Sequence, residues 1–303
     1  MPSIALKTAF ALTLAATIAG AGWAAVRPGG PAAKATRATT PPRPPAPTPV
    51  RPVDPAGMTI GTRFPPPDGY ARTPGAAGSY AARLRSLPLK PDGAPVRLYT
   101  GAWKARQDVH AAVLDLDPGP RDLQQCADAA IRLWAEYLFS VGLLDDITFH
   151  FTNGFPCAFS EWRRGRRVAV TGNHAEWTEG GAADASPASL RAYLDVVFTY
   201  AGTASLPRDV ERVGDVAHPE PGDVYLRPGS PGHAMTVVDV AVRGDARALL
   251  LAQSYMPAQE IHVVRNPASP VGDAWFVVGD GPRLVTPEWT FAWSELRRFR
   301  GVR

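Results

Sequence analysis

The sequence predicts an α+β fold, on three observations. Nine short runs rich in β-branched or aromatic residues are bounded by Gly, Pro, Asn and Asp: 96–99, 109–116, 147–151, 167–171, 223–226, 234–242, 248–253, 261–264 and 275–278. Two segments, 123–141 and 187–201, carry the three- and four-residue apolar spacing of amphipathic helices. The order is strands, helix, strands, helix and then a meander of strands, which is not the alternation of a parallel βαβ chain.

In chain order, residues 1–26 come first. Lys7 supplies a short positive start, and 8–26 (TAFALTLAATIAGAGWAAV) carries no charge. Small residues at Ala19 and Ala21, or at Gly22 and Ala24, offer the spacing a signal peptidase reads. The run also reaches the lower length limit of a membrane span. A signal peptide or an N-terminal anchor is therefore expected, with the protein exported to the periplasm or cell envelope, and tethered through 8–26 if the segment stays uncut. The competing reading, a buried core helix, fits poorly with an Ala/Gly-rich extreme terminus.

Residues 27–67 follow, with eleven prolines between Pro41 and Pro67 and few large apolar side chains. Such a chain cannot bury enough surface to offset its ordering entropy, so a Pro-rich disordered linker is expected. Residues 68–303 are expected to form a single globular α+β domain, long enough for one sizeable core.

In the first helix, Asp122 reads as the N-cap with Gln125 at the third position, and Ile131, Trp134, Leu138 and Val141 share one face. In the second, Ser186 caps, Pro187 takes the first position and Gly202 stops the helix. Its core face is Leu190, Tyr193, Leu194, Val197, Phe198 and Ala201. At the C-terminus, Trp289, Phe291, Trp293, Leu296 and Phe299 read as a docked amphipathic segment.

The net charge of +4 belongs to the N-terminal segments. Residues 1–54 hold six basic groups and one acid, which leaves 26 basic and 27 acidic residues in 55–303. A near-neutral domain lacks the basic face that nucleic-acid binding wants, so no nucleic-acid partner is expected. The two cysteines, Cys126 and Cys157, are too few for a disulfide scaffold, although one bridge is open to them in an oxidising compartment. His110, His150, His174 and His218 are scattered, with no HExxH spacing, so neither a metal nor another cofactor is expected.

Three residues carry the candidate chemistry. Cys126 falls in the first turn of the first helix, where the helix dipole stabilises a thiolate and unpaired N–H groups can receive an oxyanion. Equally, a first-turn Cys can be a small buried residue. His233 follows the Gly/Pro turn 228–232 and opens a strongly apolar strand, on a rim that faces either a cleft or solvent. Gln253 ends the next strand, LLLAQ, across a turn at 243–247 that makes the two strands antiparallel neighbours. A buried amide there needs a partner, and an imidazole N–H is one candidate. Gln259, Glu260 and His262 add polar density, and Tyr255 offers an aromatic face. The alternative for that loop is packing on its own domain. Gln124 and Gln125 lie beside the Cys, and Gln125 has the simpler capping role.

A Cys at a helix start, a His opening a strand and a polar residue on the next strand is a layout similar to that of papain-like thiol hydrolases. Gly222-Asp223…Gly232-His233 resembles the GD…GH hairpin of the wall-hydrolysing NlpC/P60 and CHAP families. That resemblance implies a papain-like arrangement, an N-terminal helix packed on an antiparallel β-sheet with an extra helix and strands. It also implies a nucleophile (Cys126), a base (His233) and an orienting residue (Gln253). Beside that proposed site, Gln124, Tyr255, Gln259 and His262 are the candidate substrate-binding residues. The helix start reads DLQQCAD rather than Asp-Cys-Ser-Gly, and Gln in the third role departs from the usual His, Asn, Asp or Glu.

Longer strings, LRSLPLKPDG, DLQQCADAAIRLWAEYL, YAGTASL, GSPGHAMTVVDV, LLAQSYMPAQEIHVVRN and TPEW, resemble the bacterial family catalogued as domain of unknown function 4846. That family brings no activity with it. Two functions remain in play. One is an exported cysteine hydrolase, an amidase or peptidase acting on cell-wall peptide or another envelope amide. The other is a non-catalytic envelope binding or scaffolding domain with a degenerate papain-like site.

Overall fold

Residues 233–243, the longest β-branched run, form the centre of the fold in a computed structural model that describes residues 53–269 and 273–301. The expected signal or anchor, and most of the expected linker, lie outside the described residues. The strand His233–Arg243 is buried along nearly its whole length, so both faces of its sheet are covered. It pairs antiparallel with Ala246–Gln253 across the tight turn read from the sequence. The full order is His110–Val113, His262–Val264, Ala246–Gln253, His233–Arg243, Val224–Arg227, Leu296–Phe299, Val210–Arg212. Ala71–Arg72 pairs with the far end of His233–Arg243, and Trp275–Val277 with Ala246–Gln253, which makes nine strands. Every one of these pairings is antiparallel.

A β-bulge shifts the register between Leu250 and Leu251 and leaves Val238 as the extra residue. Met235, Val237 and Val240 consequently pack on one face, with Leu284, Phe291 and Leu296. Val238 and Ala241 pack on the other, with Ile60, Phe64, Leu84, Ala129 and Leu133. The helix Cys126–Ser140 supplies those last two residues. Its remaining apolar positions, among them Ile131, Trp134 and Leu138, join a third cluster with Leu190, Tyr193, Leu194 and Val197 of the helix Pro187–Tyr200. Ser186 caps that second helix as expected, accepting from the Ser189 N–H at 3.2 Å.

The α+β, papain-like expectation is corrected by this topology. The described chain is mostly antiparallel β-sheet, with five α-helices, two of them single turns of four residues and one of six. The first of these, Ile60–Arg63, is a single turn, and among the described residues no long helix stands at the N-terminal end of the fold against the sheet. The balance shifts because short strands escape periodicity. Ala71–Arg72, Pro156–Ala158, His174–Glu179, Val210–Arg212, Leu284–Val285, Thr290–Phe291 and Leu296–Phe299 are too short or too exposed to show alternation. In the other direction, residues 96–99 form no strand, making isolated bridges through Arg97 and Leu98. The fold also reaches back into the segment expected as linker, since Ile60 and Phe64 are fully buried.

The Gly-Asp pair of the hairpin has a structural reason. Gly222 has φ +100°, and a Cβ there would sit 2.4 Å from Tyr80 Cδ1. Tyr80 is itself wedged against Trp134 and Tyr137, with ring centroids 5.0 and 4.8 Å away. Asp223 is buried and receives both Nε and Nη2 of Arg298, at 2.6 and 2.9 Å. Gly222→Ala is expected to lower stability by about 2 kcal/mol or more, from positive-φ strain plus the clash. A urea titration reads this, and a loss below about 0.5 kcal/mol would refute the packing argument.

Candidate functional site

Cys126 is the first residue of its helix, not the fourth as the Asp122 cap implied, and Gln125 is the N-cap. The physical reason is a competing use of Asp122. Its Oδ1 accepts from the Ala258 backbone N–H at 2.6 Å and from Gln125 Nε2 at 3.1 Å, tying the helix entry to the loop after Gln253. The Gln125 N–H donates instead to Asp128 Oδ2 at 3.0 Å. Cys126 is half-buried, Cys157 is fully buried, and neither is in a disulfide. At this position Cys126 stands at the positive end of the helix.

His233 and Gln253 are brought together as the sequence suggested. His233 Nε2 lies 2.8 Å from Gln253 Oε1, and both residues are buried. The ring nitrogen engaged is Nε2, which leaves Nδ1 for the rest of the site. The imidazole sits among Tyr255, Trp289 and Phe291, at centroid distances of 5.0, 5.1 and 5.9 Å. Tyr255 is half-buried. Its phenol is pushed up by burial, with smaller contributions from Glu288 and from Cys126. Met256 next to it is exposed.

The other residues expected to bind substrate are placed differently. Gln124, Gln259 and His262 are buried. Gln124 donates to the Gln259 carbonyl at 3.3 Å, and its Oε1 accepts from Arg132. Ser254 Oγ, also buried, lies 2.8 Å from the carbonyls of both Gln124 and Gln259. These groups lock the loop 254–259 to the helix entry. Glu260 accepts from Lys90 and from the Arg97 N–H. His262 pairs in register with Gln253, and its Nδ1 lies 3.0 Å from the Glu260 carbonyl.

Sequence reasoning missed Glu288, Lys104 and Trp289. The turn 286–289, the TPEW string, is closed by Thr286 Oγ1, which accepts from the Trp289 N–H at 3.1 Å. It delivers Glu288 to Gln253 Nε2 at 2.8 Å and Trp289 to the His233 ring. Lys104 reaches Glu288 Oε1 at 2.7 Å and lies over the Tyr255 ring. The compact TPEW turn was the available signal, but its partners are more than 30 residues away. Among the described residues no group of three or more His, Cys, Asp or Glu is placed to hold a metal ion, and no helix is long and apolar enough to cross a membrane.

Burial dominates the titration of the site. It pushes the His233 imidazole down to about 4, with Gln253 opposing and Lys104 adding to the fall. Burial also lowers His110 to about 4, and His262 falls well below the usual range, helped by its neighbour His110. The site histidine is therefore a neutral base at pH 7. An unfolded chain takes these protons near pH 6.5, whereas the folded chain resists them until about pH 4. Stability is thus present above pH 6.5 and lost as pH falls through that window. The buried Asp209 and Asp223, raised by burial, act with opposite sign at its lower end. Urea titrations are expected to show a loss on the order of 1–2 kcal/mol per pH unit between pH 6.5 and 5. A flat profile would show that these histidines take protons as readily in the fold as in the unfolded chain.

No curated protein and no solved structure matches the chain significantly. A family model described as a domain of unknown function (4846) matches residues 60–298, from the first described helical turn into the last strand of the sheet in chain order, and the chain belongs to that family.

Proposed function

We propose that this protein is a cysteine hydrolase of amides, with Cys126 as nucleophile, His233 as base and Gln253 as the residue that orients the base. The observation that carries the reading is the His233–Gln253 pair: a buried, neutral imidazole held by Nε2 and packed beside Tyr255, whose phenol feels the charge of Cys126. In the reaction, the Cys126 thiol gives its proton to His233 Nδ1 and the sulfur bonds to the amide carbonyl carbon. The carbonyl oxygen takes the negative charge, which the positive end of the helix stabilises. His233 then returns the proton to the nitrogen as the C–N bond breaks, leaving an acyl-thioester. Water attacks that thioester with His233 again as base, which releases a carboxylic acid and regenerates the thiol.

An exported enzyme is the expectation from the uncharged segment 8–26 and the Pro-rich segment 27–67, and amide-linked envelope peptide is the substrate class that fits. The test is to trap the intermediate in the full chain. Brief incubation with a peptide ester is expected to add one acyl group to Cys126, removable by hydroxylamine, as read by intact mass and peptide mapping. Acyl transfer to no residue, with Cys126 also inert to iodoacetamide, would favour a non-catalytic envelope-binding domain instead.

A further inference from the structure

We infer that Glu288, held by Lys104, is a positioning residue that fixes the Gln253 amide in one orientation and thereby sets the proton on Nε2 of His233. The consequence for a base rests on the hydrolase reading; the tautomer itself does not. The inference follows from donors and acceptors alone. A carboxylate offers only acceptors, and a lysine only donors. Glu288 Oε1 accepts from Lys104 Nζ at 2.7 Å, and Glu288 Oε2 faces the Gln253 amide at 2.8 Å. All three side chains are nearly sealed from water, with Lys104 8% and Glu288 9% exposed. An amide turned the other way would set its oxygen against the Glu288 oxygen at that distance, without solvent to relieve it. Gln253 must therefore donate to Glu288, and its oxygen is left for His233.

A second contact points the same way. His262 Nδ1 lies 3.0 Å from the Glu260 carbonyl, an acceptor, so that nitrogen carries the hydrogen. Its Nε2 is then a lone pair, and it faces Gln253 Nε2 at 3.2 Å. Both neighbours of the amide nitrogen are acceptors. Gln253 Oε1 can be satisfied only by a donor, so His233 Nε2 bears its hydrogen and Nδ1 keeps the lone pair that can take a proton. Neutral imidazole in water populates both tautomers; here a buried ion pair two residues removed selects one. The arrangement also accounts for Gln in a role where a carboxylate would be expected. A carboxylate at position 253 would meet Glu288 at hydrogen-bond distance, whereas an amide bridges an imidazole and an acid.

The test is long-range ¹H–¹⁵N correlation of the histidine rings in the full-length protein at pH 7. Wild type is expected to show His233 as a single neutral Nε2–H species, with His262 as Nδ1–H. In Glu288→Gln, Lys104 would claim the new carbonyl and turn its NH₂ group toward Gln253, favouring the flipped amide. An Nδ1–H form of His233, at a tenth of the population or more, is then expected. A wild-type His233 that is mixed or Nδ1–H overturns the inference with no variant needed. So does a folded Glu288→Gln protein whose His233 stays purely Nε2–H. Either result would leave acylation of Cys126 untouched. Conversely, an inert Cys126 beside a fixed His233 tautomer would remove the hydrolase and keep the relay.

Discussion

Replacing Cys126 with Ala is expected to lower amide hydrolysis by about 10³-fold or more while leaving the urea midpoint nearly unchanged. The thiol is half-buried at a helix start, so its loss empties little core volume. His233→Ala is expected to cost a similar factor, and the double variant no more than either single one, because the two act as a unit. Steady-state assays with an amide peptide read all three. Cys157→Ala supplies the contrast. That side chain is fully buried opposite Phe149, so its truncation should lower stability and spare activity. Additive losses at Cys126 and His233, or equal losses at both cysteines, would contradict the assignment. The acid limb of the activity should fall as pH drops through about 4, since a protonated His233 cannot accept the thiol proton.

The pieces of this site that were legible in the sequence are those whose local pattern announces them. The apolar run after a Gly/Pro turn placed His233 at a strand start, and the short turn to the next strand placed Gln253 on its neighbour. Ser186-Pro187 fixed a helix start because both residues act on their own backbone. Asp122 looked equally good as a cap, yet its carboxylate serves Ala258, a contact 136 residues away that no local rule anticipates. The same limit hid Glu288 and Lys104, whose meaning comes from each other and from Gln253. It also hid the sheet's true extent. Two- and three-residue strands such as Ala71–Arg72 and Val210–Arg212 exist because a neighbouring edge is there to pair with, not because their residues prefer it. Gln124 and Gln259, read as candidate substrate contacts, belong to a buried frame, because a loop approaching a helix start must satisfy the carbonyls it covers.

Asp239→Ala is expected to be among the most damaging substitutions, at about 3–5 kcal/mol. Asp239 stands just after the bulge in the central strand and is fully buried. Its Oδ2 accepts from Arg72 Nε and its Oδ1 from Arg85 Nε, each at 2.6 Å, while the Val240 N–H donates to Oδ1 at 2.9 Å. Arg72 comes from the two-residue strand that flanks the sheet, and Arg85 from the helix Tyr80–Arg85, so one carboxylate fastens two N-terminal elements. Those elements need the fastening. The strand is held by little backbone pairing, and the helix is too short to be stable alone. Removing the carboxylate leaves two guanidinium groups facing each other in a largely dry space, with Arg85 Nη2 still held by Thr73 at 2.9 Å. Repulsion and lost solvation then add to the missing bonds. Asp239→Asn should recover part of the loss, since it keeps the shape and one acceptor. Arg72→Met combined with Asp239→Ala should cost clearly less than the sum, because one unpaired charge is removed with its partner. Urea unfolding of wild type, the three single variants and the double variant measures this, and an Asp239→Ala loss under about 1 kcal/mol would mean that the N-terminal elements are held by apolar contact alone, through Ile60, Phe64 and Leu84.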